Sequence, residues 1–296
     1  MELQVLTPFR RLACILLTAA LAQSCEERIT IDTGTSEPRL VIYGYITTDS
    51  LRHAVSITRS SGYFSTTKPE GITGAEVVIR QGEEAYILTE SGSEPGLYQT
   101  ADSVAGEVGK TYTLHVSLDF DGDGQAEEYG AESWLPPVSR LDSMAVRPSA
   151  LSDHHMEVLI WGRLPEEEEN YFNFRLYRNG VLVNDSLRGF RISDDLFLGR
   201  KDIEGTPVFY LNQRRESEQL SPGDSLTFQI DGITSEYAGF INNAQSERRG
   251  SIPLFGAPPA NIETNLRRLT PGSGAGLSGF FTAFSVSRAG MLYPPE

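Results

Sequence analysis

The chain has 296 residues, 39% of them hydrophobic, and carries 40 acidic against 25 basic residues, a formal charge of −15. That balance excludes nucleic-acid binding by counterion displacement, which needs a basic face, and docking on an anionic bilayer through a polybasic patch. Two cysteines cannot build a disulfide framework, and the length is that of about two domains.

The first element in chain order is an apolar segment, Leu12 to Ala22, behind Arg10 and Arg11. As a helix it would rise only about 16 Å, against a hydrocarbon core of about 30 Å. A basic flank, a short apolar core and small residues after it define a secretory signal rather than a membrane span. Leu21, Ala22, Gln23, Ser24 and Cys25 read "LAQSC", and this run resembles the lipobox of bacterial lipoprotein signals. The resemblance implies removal of residues 1–24, a diacylglycerol on the Cys25 thiol and an acyl chain on the new amino group. Several chains make a durable anchor where one does not, because each buried CH₂ contributes about 0.8 kcal/mol. Cys14 would be discarded with the signal. Glu26 and Glu27 follow Cys25 at once; surface lipoproteins of Bacteroidota are similar here, which implies outward-facing placement on the outer membrane. Residues 25–38 continue as a polar stretch with few large apolar groups, expected to be a flexible tether.

Period-two alternation takes over after Arg39. In "TYTLHVSL", Tyr112, Leu114, Val116 and Leu118 share one face. "SLTFQIDG" repeats this with Leu226, Phe228 and Ile230, and "YFNFRLYRNG" with Phe172, Phe174 and Leu176 before an Asn179–Gly180 turn. Such segments are half-buried strands of antiparallel sheets. Further strands are expected at "RLVIYGYI", "HAVSITRS", "AEVVIRQ", "EVLIWGRL" and "GFFTAFSVSR". One helix is expected near residues 235–249, with Ile233, Tyr237, Phe240, Ile241 and Ala244 on its apolar face, Ser235 as its cap and Gly250 at its end. The prolines of "LPPVSRLDS", Leu135 to Ser143, mark a boundary. The fold class is therefore mainly β: two tandem β-sandwich-like, immunoglobulin- or fibronectin-like domains. The first spans residues 39–137; the second, residues 138–296, carries the helix.

The body resembles a domain-of-unknown-function family of Bacteroidota outer-membrane lipoproteins. The resemblance rests on the shared order of "RLVIYGYITTD", "ITGAEVVI", "EPGLYQT", "VGKTYTLHV", "SPGDSLTFQI", "PLFGAPPANIETNL" and "GLSGFFTAFSVS". None of these is catalytic. Genes of this family commonly sit beside TonB-dependent transporters, which implies a role in nutrient capture but no defined chemistry.

Among residues that carry chemistry, "DFDGDGQAEEYG" (Asp119 to Gly130) is the sharpest group. Asp119, Asp121, Asp123 and Glu127 offer side-chain oxygens and Gln125 a carbonyl, a set suited to Ca²⁺. Three crowded aspartates repel one another, and a divalent ion would relieve that. The twelfth place of an EF-hand loop should be glutamate and here is Gly130, and the flanks are strands. The alternative is an acidic hairpin tip in water; bound calcium would stiffen the hairpin. His154–His155 are expected in a loop, and His53 and His115 on solvent-facing positions. "PEEEEN" (Pro165 to Asn170) reads as a solvated turn. "PGSGAGLSG" lacks the lysine of a phosphate loop. Tyr63, Phe64 and Phe255, on glycine- and proline-bearing loops, are candidate partner contacts, since aromatics on fixed loops supply area at low entropy.

There is no Gly-x-Ser-x-Gly elbow, no His-Glu-x-x-His and no cysteine in the body. The expected function is therefore non-enzymatic: a lipoprotein accessory or ligand-capture partner of a TonB-dependent transporter. Two alternatives stand beside it, a structural or adhesive surface protein and a cell-surface hydrolase. The hydrolase would need a deep acidic cleft joining the two domains.

Overall fold

A computed structural model describes residues 38–60, 68–165, 169–183, 189–198, 202–249, 262–271 and 276–294. Glu37–Glu296 forms one compact unit. The expected signal and tether lie almost wholly outside the described residues. The protein is mainly β, and alternation sorts each strand into a core face and an outer face.

Eight strands come first: β1 (Leu40–Thr47), β2 (Ala54–Arg59), β3 (Glu70–Gly71), β4 (Glu76–Gln81), β5 (Glu84–Glu90), β6 (Leu97–Thr100), β7 (Thr111–Leu118) and β8 (Glu127–Trp134). Their inward residues form a first core around Ile42, Ile57, Ile79 and Leu114. The β7 pattern is as expected, with Tyr112, Leu114, Val116 and Leu118 buried. Pro136 and Pro137 cannot donate to a ladder, and β8 stops at Trp134.

Next come β9 (Arg140–Pro148), β10 (His155–Arg163), β11 (Tyr171–Arg178), β12 (Val181–Leu182), β13 (Arg191–Asp194), helix α1 (Asp195–Leu198) and β14 (Asp202–Asn212). The chain continues with β15 (Ser225–Ile233), α2 (Ser235–Arg249), β16 (Arg267–Arg268) and β17 (Leu277–Leu292). A three-stranded sheet, β14-β10-β9, is one layer of the second sandwich; β11 and β15 supply the other. Val158, Phe172, Phe174, Leu176, Phe228 and Ile230 fill the space between them. β11 and β12 join through Asn179 and Gly180, at φ of 51° and 77°, the mirror-image turn that Asn-Gly favours.

The two halves share a strand. Leu277–Phe284 of β17 runs parallel to β1, and Ser285–Leu292 of the same strand runs antiparallel to β15. Both sheets therefore fuse in the order β12-β11-β15-β17-β1-β2-β6-β5-β4-β7-β8-β16. Gly279 permits the join with β1: its φ is 103°, and a Cβ there would lie 2.0 Å from the Ile42 carbonyl oxygen. Leu266, Phe281 and Ala283 complete the first core. Residues 137/138 fall between β8 and β9, and the last strand belongs to both halves. Side chains close the roll of the first sheet. Asn265 donates to the carbonyls of Glu132 on β8 and Phe281 on β17, and Ser133 Oγ accepts from the Ala283 N–H at 2.9 Å.

Helix α2 differs slightly from expectation. Its cap is Thr234, whose Oγ1 accepts the Tyr237 N–H at 3.2 Å, and Ser235 is the first helical residue. Ile233 ends β15 instead of starting the helix. Tyr237, Ala238 and Ile241 are the buried face, packed with Phe280 and Phe284 of β17. The expected Gly250 stop lies outside the described residues, and the four-residue α1 was not expected from the sequence. Among the described residues, no helix is long and apolar enough to cross a membrane.

Candidate functional site

The aspartate loop forms as a turn folded around its own backbone. Asp119 accepts the N–H groups of Gly122, Asp123 and Gly124 at 2.7, 3.2 and 2.9 Å. Asp123 accepts both the backbone N–H and the side-chain amide of Gln125. Asp119, Asp121 and Asp123 place carboxylate oxygens within 4.8 Å of one another, all exposed. Glu127 points elsewhere. It is 8% exposed, accepts the Phe120 N–H at 3.0 Å and pairs with Arg268 at 3.3 Å. The fit to Ca²⁺ is thus partial: three carboxylates converge, against the six to eight oxygens the ion takes.

The other expected positions fall as follows. His53 is a correction: it is 0% exposed, beneath the Leu51–Val104 bridge, with Nε2 2.8 Å from the Val104 carbonyl oxygen. Burial lowers its pKa, against the raising effects of that carbonyl and of Asp49. His115 is half-buried beside Glu128 at 3.7 Å. His155 begins β10 and meets Ser152, while His154 meets Arg214. Tyr63, Phe64 and Phe255 lie outside the described residues.

A cavity that no motif announced opens where the two halves meet. Its volume is about 430 Å³, within the usual range for small-molecule sites. Five chain segments reach it: the end of β8 with the Pro136–Pro137 link, the start of β11, the β15–α2 junction, Asn265, and Phe280 of β17. Trp134, Tyr171 and Phe280 supply aromatic wall, and Glu132, Glu169 and Glu236 supply charge. Trp134 stands 43% exposed. Glu169, part of the run read as a solvated turn, has φ of 62°, a left-handed conformation uncommon for a non-glycine residue.

Beside α2, a buried polar cluster ties β11 to β15. Arg175 Nε lies 2.8 Å from Asp231 Oδ2, and Gln229 and Asn173 donate to the same carboxylate at 2.6 and 3.0 Å. Burial opposes the Arg175 charge, but Asp231 together with Tyr177 and Tyr237 outweighs it and raises the guanidinium pKa. Burial pushes the Asp231 carboxyl up, against Arg175 and the two amides. Nearby, the Tyr43 and Tyr237 hydroxyls meet at 2.5 Å, and burial raises both phenols.

Fold and site together define a mainly β protein built of two fused sandwich-like halves with a solvent-open cavity at their junction. The chain belongs to the family described as "Domain of unknown function (DUF4249)", which matches residues 26–289. No curated protein matches it. Solved structures resemble it in part. The chicken CNTN1 FN1–FN3 domains share 13% identity over 67% of this chain and 62% of that one, with a TM-score of 0.27. A Parabacteroides merdae β-glucuronidase with glycerol in its active site shares 8% identity over 67% and 23%, with a TM-score of 0.21. Bacteroides uniformis β-glucuronidase 3 shares 11% over 66% and 23%, with a TM-score of 0.20. The chain spans less than two thirds of each of these chains, and at such TM-scores none informs its activity.

Proposed function

We propose that this protein is an outer-membrane lipoprotein, held through Cys25 by diacylglycerol and an N-acyl chain and facing the cell exterior. It acts as a non-enzymatic accessory or ligand-capture partner of a TonB-dependent transporter. One observation carries the reading: "LAQSC" ends at Cys25, Glu26 and Glu27 follow, and the only other cysteine lies in the segment to be removed. The family match supports this partition, since it begins at residue 26, directly after that cysteine. Calcium on Asp119, Asp121 and Asp123 is a structural stiffener in this reading.

A second reading, a cell-surface hydrolase, is favoured by the acidic cavity between the halves. Its three glutamates are exposed. Among the described residues no hydrogen bond or ion pair orients their carboxylates. A general acid and base are normally held and partly desolvated, so binding suits these groups better than proton transfer.

The test is affinity purification of the native lipoprotein from detergent-solubilised membranes, with an alkyne fatty acid fed to the cells. Label on the wild type but not on Cys25→Ser, and a co-purifying barrel, are expected. Label without a barrel, together with unchanged uptake in a deletion strain, refutes the transporter role. Matrix or cell binding in that case assigns the structural or adhesive alternative.

A further inference from the structure

The junction cavity is lined by three aromatic rings and three glutamates, and among the described residues its lining contains no lysine or arginine. Several of its neutral polar groups are already engaged. Asn265 Oδ1 accepts the Phe281 N–H, and its Nδ2 donates to Glu132 O and Phe281 O. Asn170 donates to Asp195, and Ser133 Oγ is held by the Ala283 N–H. The strongest polar groups left in this wall are the three carboxylates, which only accept, beside the hydroxyls of Tyr171, Thr234 and Ser235.

The amino end of α2 opens on the same space and places roughly half a positive charge there. Glu236, in the first helical turn, offsets it. Glu132 and Glu169 then remain with no partner in the helix, so the cavity is net negative. Trp134 presents an indole that is 43% exposed beside these carboxylates, and aromatic faces attract cations.

We propose that the junction cavity binds an organic cation on an apolar stem: an alkylammonium or guanidinium group, presented by a free amine or by a lysine or arginine side chain. The stem lies along Trp134, Tyr171 and Phe280, and the charge lies among Glu132, Glu169 and Glu236. This site does not depend on the anchor at Cys25 or on a transporter.

The full chain in detergent is titrated with n-pentylamine, 1-pentanol, glucose and a short capped arginine peptide. Tryptophan emission is followed, with Trp134→Phe identifying the indole that responds. Saturable binding of a cation is expected, with no response to pentanol or glucose. Whichever of amine and peptide binds more tightly identifies the source. Trp134→Ala should weaken binding roughly two- to fivefold. Glu132→Gln, Glu169→Gln and Glu236→Gln combined should weaken it about tenfold at low salt. All four positions are exposed, and far-UV circular dichroism checks that the variants fold. The proposal is overturned if pentanol or glucose binds as well as the amine, if the triple variant binds unchanged, or if no cation saturates below about 10 mM.

Discussion

Replacing Arg175 by methionine should cost about 3–5 kcal/mol of stability at pH 8, because it strands a buried carboxylate. Asp231 is 0% exposed and Arg175 Nε lies 2.8 Å from it. Gln229 and Asn173 would still donate to Asp231, which keeps the cost below that of a bare buried charge. The penalty should depend on pH with a definite sign. Burial already raises the Asp231 carboxyl above its ordinary value, and Arg175 is the strongest of the groups pulling it down. Without Arg175 the folded-state value rises further. A carboxyl whose folded pKa exceeds its unfolded one contributes stability while protonated and loses it as pH rises through the folded value. Arg175→Met should therefore be less destabilised at pH 5 than at pH 8, measured by urea unfolding. The double variant Arg175→Met/Asp231→Asn should recover most of the loss, since a neutral amide replaces the stranded charge. A single variant losing less than about 1 kcal/mol at pH 8, or a double variant no more stable than the single, would refute this reasoning.

Phe281→Ala removes a ring that is 0% exposed from the shared strand and should cost about 3–5 kcal/mol. Because β17 serves both halves, Trp134 in the first and Trp161 in the second should report one coincident unfolding transition; two separated transitions would mean the halves are independent. His53 should make the protein less stable as pH falls. Its lowered folded pKa means its contribution is full above the ordinary value of 6.5 and fades below it, and His53→Gln should flatten that limb of a melting-temperature profile against pH. Millimolar Ca²⁺ should raise Tm by about 2–4 °C through the aspartate loop, and Asp121→Asn should abolish the rise; an equal rise in the variant would rule out that loop.

Local pattern made much of this fold readable. The alternation at Tyr112–Leu118, the Asn179–Gly180 hairpin and the apolar spacing of Tyr237, Phe240 and Ile241 each act within a few residues. What failed to show depends on pairings between distant segments. Nothing in "GFFTAFSVSR" says that one strand will change partners between Phe284 and Ser285. His53 looked solvent-facing because the covering Leu51–Val104 bridge joins segments more than fifty positions apart. Glu127 fitted a calcium loop by spacing, but Arg268, 141 positions on, holds it inward. The cavity draws on five separate segments, so no motif could announce it. Trp134, left 43% exposed at the end of β8, marks it only once the strands are paired.

Arg39 and Leu277 are bonded neighbours although 238 positions apart. A chain threaded amino end first, from a ribosome or an export pore, delivers β1 to β8 long before their last partner. During that delay one flank of β1 is an open template for pairing with any passing strand. Closing so long a loop is also slow. Pairing of β1 with its parallel partner is thus a late event, which waits until residues 277–284 have emerged.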